Sequence, residues 1–298
     1  MNKFSSQEIK EFVSKPLFDE KIILKKDPSY PKISIVTPSY NQAKFLEKTI
    51  LSVLNQNYPN LEYIIIDGGS KDGSIEIIKR YEKFLAYWVS EKDKGQADAI
   101  NKGFGIAKGE LIAWQNSDDI YLPSTFVHIA RIFNKRRHDL IYGDILIIDE
   151  YGIPKRTFRF GPWPKFGLKN VGMSISNQSS FWTRELQKKC GPLINNLHYA
   201  FDGEYFYRLL VNTKKIIHIP EILACFRIHH AAKSQKKNEY KKELELIKSI
   251  CKFRRKNLLI KLIDKLMRAF YALIKGRFLY LISREKDGKN IFRGKYKF

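Results

Sequence analysis

The chain has 298 residues, 44% hydrophobic and 13% aromatic, enough to bury one large core with a smaller appendage. Lys and Arg number 54 against 31 acids, a formal net charge of +23, so anionic partners are expected. Cys190, Cys225 and Cys251 stand far apart, which excludes a clustered-cysteine metal site and fits a reducing compartment. The first twenty residues carry acids and no apolar stretch of the secretory kind, and no window reaches the ~18 uncharged apolar residues of a spanning helix.

Residues 1–30 are polar and lysine-rich, which predicts a short helix and an extended lead-in closed by Pro28 and Pro31. Ile33 to Thr37 reads as a buried strand stopped by Pro38, followed by apolar residues at helical spacing from Phe45 to Leu54. A second strand, Tyr63 to Ile66, runs into the turn Asp67-Gly68-Gly69-Ser70-Lys71-Asp72-Gly73-Ser74, where Asp72 or Ser74 is placed to cap a helix through Tyr81. Phe84 to Val89 predicts a third strand and Gln96 to Ala107 a helix. Leu111 to Trp114 predicts a buried strand ending at Asn116-Ser117-Asp118-Asp119, with a helix from Pro123 to Arg137. Strand alternating with helix at this period predicts an α/β fold, a parallel sheet with helices on both faces.

The first strand's end, the Asp67 turn, the segment from Lys94 to Asn101 and the Asp118 cluster all fall where strands end, the edge at which open α/β sheets bind ligands. Carboxylates gathered there call for a positive charge. Mg²⁺ and Mn²⁺ prefer such oxygens and commonly bridge to substrate phosphates. The plainer alternative makes Ser117 or Asp118 a helix cap among solvated acids. Neither G-x-G-x-x-G nor G-x-x-x-x-G-K-[ST] follows the first strand, which excludes a dinucleotide fold and a phosphate loop of those types.

Thr37-Pro38-Ser39-Tyr40-Asn41, the Asp67-to-Ser74 turn, Glu91-Lys92-Asp93-Lys94-Gly95-Gln96-Ala97-Asp98-Ala99-Ile100-Asn101-Lys102-Gly103 and Asn116-Ser117-Asp118-Asp119 together resemble the family-2 glycosyltransferases, over roughly residues 32–230. The resemblance implies the GT-A fold, a Rossmann-like, mostly parallel sheet, and inverting sugar transfer from a nucleotide-diphosphate donor with Mn²⁺ or Mg²⁺ as cofactor. It implies that Asp118 holds the metal, with Asp119 orienting the loop. The family's metal motif is often Asp-x-Asp, and Asn116 stands at its first position, bringing hydrogen bonds without charge. Thr37, Pro38, Tyr40, Asp67, Gly68, Lys94, Gln96, Asp98, Asn101, Asn116 and Ser117 are the implied nucleotide-sugar residues. Each has a bland counterpart: Asp67 in an Asx turn, Asp98 on a solvated helix face, Tyr40 in core packing.

Beyond Arg137, Leu140 to Ile148 predicts two short strands or one bent at Gly143, and an irregular segment with Gly161, Pro162, Pro164, Gly167 and Gly172 follows. Trp163 there and Gln178, at the head of the strand through Trp182, are expected on the acceptor side. Asp202 opens a helix, and its Asp-x-x-x-Phe-x-Arg spacing is similar to the family's base motif, so Asp202 is the expected catalytic base, with Glu204 as runner-up on the acceptor side. Phe226-Arg227-Ile228-His229-His230 resembles the family's Arg-x-His loop, which implies Arg227 and His229 beside the diphosphate. A zinc site at the paired histidines has no completing ligand at a suitable spacing.

From Cys251 onward 15 Lys and Arg stand against 3 acids, a net +12. Leu259, Ile263, Leu266, Phe270, Leu273 and Ile274 fall on one helical face and Lys261, Lys265, Arg268 and Lys275 on another, which predicts a basic amphipathic tail suited either to an anionic membrane surface or to packing on the domain. No nucleic-acid module is visible. The expected organisation is a lead-in over 1–30, a catalytic domain over 31–235 and a basic helical extension over 236–298. The expected protein is a cytoplasmic enzyme held at the inner face of the cell membrane, using a saccharide or lipid-linked saccharide acceptor in cell-surface polysaccharide or lipopolysaccharide synthesis. A non-catalytic saccharide- or membrane-binding protein on a degenerate transferase scaffold is the other reading.

Overall fold

The computed structural model describes residues 5–162, 164–165, 175–230, 232–233, 236–251, 262–263, 266–267, 270–271 and 273. Trp163, Phe166 and most of the irregular segment fall outside them. Two short helices, α1 (Ser6–Phe12) and α2 (Glu20–Lys25), replace the single helix expected in the lead-in. Ser5 and Glu8 form a reciprocal capping box at the start of α1. Asn55 then ties the lead-in down, bonding Leu17 N and the carbonyls of Phe12 and Lys15.

Four strands, β1 (Ile33–Ser39), β2 (Leu61–Asp67), β3 (Tyr87–Ser90) and β4 (Leu111–Trp114), pair in parallel in the order β3-β2-β1-β4. They alternate with α3 (Ala43–Leu54), α4 (Ser74–Arg80) and α5 (Gln96–Ile106). Pro38 does not stop β1, which runs on to Ser39. The physical reason is the register: β4 accompanies β1 only from Ile33 to Val36, so the prolyl nitrogen faces no ladder on that side. Asp72 accepts from Ala43 N at the start of α3 through one oxygen and from Ser74 N at the start of α4 through the other, with Gly73, at φ 95, between.

Past β4 the sheet continues through β8 (Ser180–Thr183), β6 (Leu140–Ile148), β9 (Ile216–Arg227) and β5 (Ile120–Tyr121), with β7 (Pro154–Phe158) beside β6. Strand β8 is antiparallel to both β4 and β6, while β6 and β9 run parallel over their whole length. Most of the ladder is therefore parallel. The Leu140–Ile148 segment is one strand, and its pairing with β9 shifts register on either side of Asp144, next to Gly143.

Helices α6 (Thr125–Lys135), α7 (Arg184–Cys190), α8 (Phe201–Asn212) and α9 (Lys237–Cys251), with 3-10 turns at Glu82–Phe84 and Asn177–Ser179, complete the described elements. Alternate residues of β1 and β4 divide between two cores. Ile33, Ile35, Leu111 and Ala113 pack under α3 and α6, and Val36, Ile112 and Trp114 pack under α5 and α8. Burial at about 1.5–3 kcal/mol for each large apolar side chain makes these two layers the main stabilising term. Trp114, Trp182, Phe104, Tyr205 and Phe206 form one aromatic cluster joining β4 and β8 to α5 and α8, with ring centroids 5.5 to 6.1 Å apart. That cluster fixes the start of α8 relative to the end of β4.

Candidate active site

At the end of β2, Asp67 is buried and folded back on its own turn, accepting from Gly69 N, Ser70 N, Ser70 Oγ and Ser90 Oγ. This is an Asx-type arrangement that shapes the turn. Gly68 beside it lies so close to Asp93 that a Cβ would stand 2.7 Å from the Asp93 carboxylate. Thr37 is buried against the Tyr63 hydroxyl at 3.1 Å, and Pro38 pairs with Ile66. Tyr40, by contrast, is 61% exposed just past the end of β1, with its ring available to a ligand.

The segment from Asp93 to Asn101 crosses the same edge. Asp93 accepts from Gly95 N, and burial pushes its carboxyl above the ordinary carboxylate range. Asp98 caps its own turn by accepting from Lys94 N, and it also accepts from Asn195. Lys94 is exposed there. Gln96 donates to Asn116 Oδ1 at 2.9 Å, linking α5 to the loop after β4. Asn101 exchanges hydrogen bonds with the main chain of Leu193 in both directions and also bonds Asn195. It anchors the 191–197 loop instead of facing the crevice.

The loop after β4 is built around Asp119, whose carboxylate is fully buried and accepts from Asn116 Nδ2, Gln178 Nε2 and Arg227 N. Burial, with the neighbouring charge of Asp118 second, pushes Asp119 well above the ordinary range. Ser117 is buried in the turn, and Asp118 is the member turned toward the crevice, with its side chain 19% exposed. Asp118 Oδ2 lies 2.9 Å from His229 Nε2, and Phe45 packs on the His229 ring. One oxygen and one nitrogen donor thus meet from two different loops. Among the described residues no three His, Cys, Asp or Glu gather as a closed cage. A pair of donors is what Mg²⁺ or Mn²⁺ takes when substrate phosphates and water complete its shell, so the residues fit such an ion.

Arg227, expected at the diphosphate, is turned inward. It is 1% exposed, donates through Nε to the Asp118 carbonyl at 2.7 Å and through Nη1 to the carbonyls of Asp149 and Glu150, and stacks on Phe45. A guanidinium held by main-chain carbonyls presents the Asp118 loop and leaves little of itself for phosphate. Gln178, expected on the acceptor side, lies beneath the same loop, since its amide bonds Asp119. Glu204 is likewise interior, in a two-point ion pair with Arg208 at 2.6 and 2.7 Å. Trp163 lies outside the described residues.

Asp202 stands in the first turn of α8 and accepts from Gly203 N. Burial, with the nearby Glu243 charge adding to it, raises its carboxyl above the usual range, against the pull of Lys233. Lys233 Nζ donates to the His198 carbonyl, in the turn just before Asp202, at 3.4 Å. Asp93, Asn195, His198, Lys233 and Glu243 were not singled out from the sequence. Only the contacts they make between loops reveal them. A separate hollow lined by Phe104, Lys108, Arg184, Lys188 and Pro192 opens near the start of β4, at the far end of the sheet from this crevice.

A family model described as glycosyl transferase family 2 matches residues 34–187, more than half of the chain. A Rickettsia typhi protein named as an uncharacterised glycosyltransferase is 27% identical over 218 residues, covering 70% of this chain and 67% of its own length. A longer Rickettsia felis glycosyltransferase is 37% identical over 133 residues, covering 43% of this chain, which spans only 22% of that relative. A Bacillus subtilis protein, TuaG, whose name places it provisionally in teichuronic acid biosynthesis, is 40% identical over 92 residues, 30% of this chain and 36% of that one. Among solved structures, a Pyrobaculum calidifontis mannosyltransferase in complex with GDP-Man and Mn²⁺ aligns at a TM-score of 0.58 and 16% identity, covering 95% of this chain and 82% of that one. S. aureus TarS 1–349 in complex with UDP-GlcNAc aligns at 0.56 and 16% identity, covering 72% and 65%. These likenesses establish a shared GT-A fold, and with the family match the chain belongs to glycosyl transferase family 2.

Proposed function

We propose that the chain is a metal-dependent, inverting glycosyltransferase that moves a sugar from a nucleotide-diphosphate donor to a saccharide or lipid-linked saccharide acceptor in cell-surface polysaccharide or lipopolysaccharide synthesis. The observation that carries this reading is the meeting of Asp118 and His229 at 2.9 Å where the strands end, beside the Gln96–Asn116 bond, with the turn before Asp202 reaching the same edge because Gly95 backs directly on His198. Asp118 and His229 would hold a divalent cation there, which would supply Lewis-acid stabilisation of the diphosphate's charge. Tyr40 stacks on the nucleoside, and Gln96 and Asn116, already bonded to each other, frame its diphosphate side. Asp202, with its raised carboxyl, takes the proton of the acceptor hydroxyl as that oxygen attacks the sugar carbon from the face opposite the diphosphate. The UDP-GlcNAc and GDP-Man complexes of the structural neighbours support a nucleotide-sugar donor, and the teichuronic acid name supports a saccharide acceptor.

The tail adds a place of work. Leu262, Ile263, Leu266, Phe270 and Leu273 are each helical and exposed, and their spacing in the sequence is that of one apolar helical face. Tyr271, on the other side, brings its ring 5.9 Å from that of His218 and so rests on the catalytic domain. An outward apolar stripe in a segment of net +12 suits the anionic inner face of the cell membrane. No helix of the described residues is long and apolar enough to cross it. The experiment that tests the enzymatic reading is nucleoside diphosphate release from a panel of nucleotide sugars with and without Mn²⁺, compared with Asp118→Asn.

A further inference from the structure

Helix α8 carries Asp202 in its first turn, yet its N-cap, Ala200, has no side-chain acceptor to offer. The open N–H groups at that end are unmet within the helix, and the macrodipole leaves it positive. A carboxylate from elsewhere in the chain meets one of them, Ala200 N, together with the two N–H groups that lead into the helix. Glu243 of α9 accepts from His198 N at 2.7 Å through one oxygen, and from Tyr199 N at 2.7 Å and Ala200 N at 2.9 Å through the other. Tyr240 and Ile247, three and four residues away on the same helical face, pack into the core that contains Phe201, Tyr205 and Phe206, which points Glu243 inward.

The gripped turn is closed on its other sides too. Gly95, at φ 115, approaches so near that a Cβ there would stand 3.2 Å from His198 Nδ1, and Lys233 Nζ donates to the His198 carbonyl at 3.4 Å. Residues 198–200 therefore sit between the segment bearing Asp93 and Gln96 and a helix that begins 50 residues past the family match.

We propose that Glu243 is a positioning residue of the transfer reaction: by holding the three N–H groups of His198, Tyr199 and Ala200 it sets where Asp202 stands against the acceptor hydroxyl. Helix α9 is then part of the active site and not an appendage. The inference rests on the reading of Asp202 as base. Its signature is a loss in turnover without a loss in donor binding, because Glu243 touches the base-bearing turn and no residue assigned to the nucleotide.

The test uses the full chain. Wild type, Glu243→Gln, Glu243→Asp and Asp202→Asn are given a mixture of UDP-, GDP- and dTDP-sugars with Mn²⁺, and the donor consumed is then used singly for kcat and KM. Glu243→Gln keeps the shape and one acceptor oxygen. It is expected to lower kcat by ~10-fold or more, as a small misplacement of a reacting group does, while donor KM moves less than ~3-fold. Glu243→Asp keeps both oxygens one methylene short and is expected to show the same kcat-selective loss should the Gln variant not fold. Wild-type kcat in a folded Glu243 variant beside an inactive Asp202→Asn overturns the inference alone, as does an equal fall in kcat and donor affinity. An active Asp202→Asn overturns the base assignment, and no release by wild type overturns the transferase reading itself.

Discussion

Asp118 and His229 meet at 2.9 Å across the crevice although 111 positions separate them in the chain. The contact is made possible by Arg227, two residues before His229, whose side chain is clamped to the Asp118 carbonyl and whose N–H bonds Asp119. A buried cation and a buried carboxylate thus serve as the mount for the Asp118–His229 pair.

The mount titrates. Asp119 has a folded-state carboxyl raised by burial and by Asp118, so the native state holds its proton more firmly than the unfolded chain does. This contribution to stability is present at low pH and is lost as pH rises from the ordinary Asp value of ~3.9 through the raised value. Asp119→Asn sets an amide against three donors and should destabilise by about 1–3 kcal/mol. The penalty should be largest at the acid end and shrink as pH rises. Denaturant unfolding of both proteins across pH in metal-free buffer measures this, and a penalty that grows with pH would contradict it.

Asp202 must be ionised to accept a proton, and burial raises its carboxyl. The acid limb of kcat should therefore lie above the ordinary Asp value of ~3.9, with rate rising as pH rises through it. Asp202→Asn should lose ~10²-fold or more in kcat with donor KM nearly unchanged. A matching loss of donor affinity would mean that Asp202 holds the nucleotide instead.

Each Lys or Arg near an anionic surface contributes ~1 kcal/mol, attenuated by salt, and the exposed Leu, Ile and Phe side chains add an apolar term. Full-length protein should float with liposomes containing anionic lipid, less so in high salt, and truncation after Phe253 should leave it unbound. Full-length protein that ignores anionic and neutral liposomes alike would make the tail a packing element.

The α/β alternation and the four loops at the strand ends were legible because each rests on local pattern: apolar runs, glycine turns and acids where strands stop. What was not legible depends on packing between distant elements. Arg227, Gln178 and Glu204 look like crevice residues by type and spacing, but their partners are Asp119, Arg208 and main-chain carbonyls, which no local pattern announces. Asp72 does accept from Ser74 at the start of the helix that follows it, but its other oxygen reaches Ala43 N and caps α3 as well, since two strand-end turns lie side by side. Glu243 sits in an ordinary amphipathic, lysine-rich helix, and only the docking of that helix by Ile247 brings it to the start of α8.

The central claim is that Asp118 anchors a cation-assisted sugar donor, and the most direct measurement is nucleoside diphosphate release from single nucleotide sugars as Mn²⁺ is titrated. Wild type should release product from one donor in proportion to bound Mn²⁺ and stop on chelation, while a folded Asp118→Asn should neither release product nor respond to the metal. An Asp118→Asn variant that turns over the same donor at the wild-type rate, with the same dependence on Mn²⁺, would contradict the account.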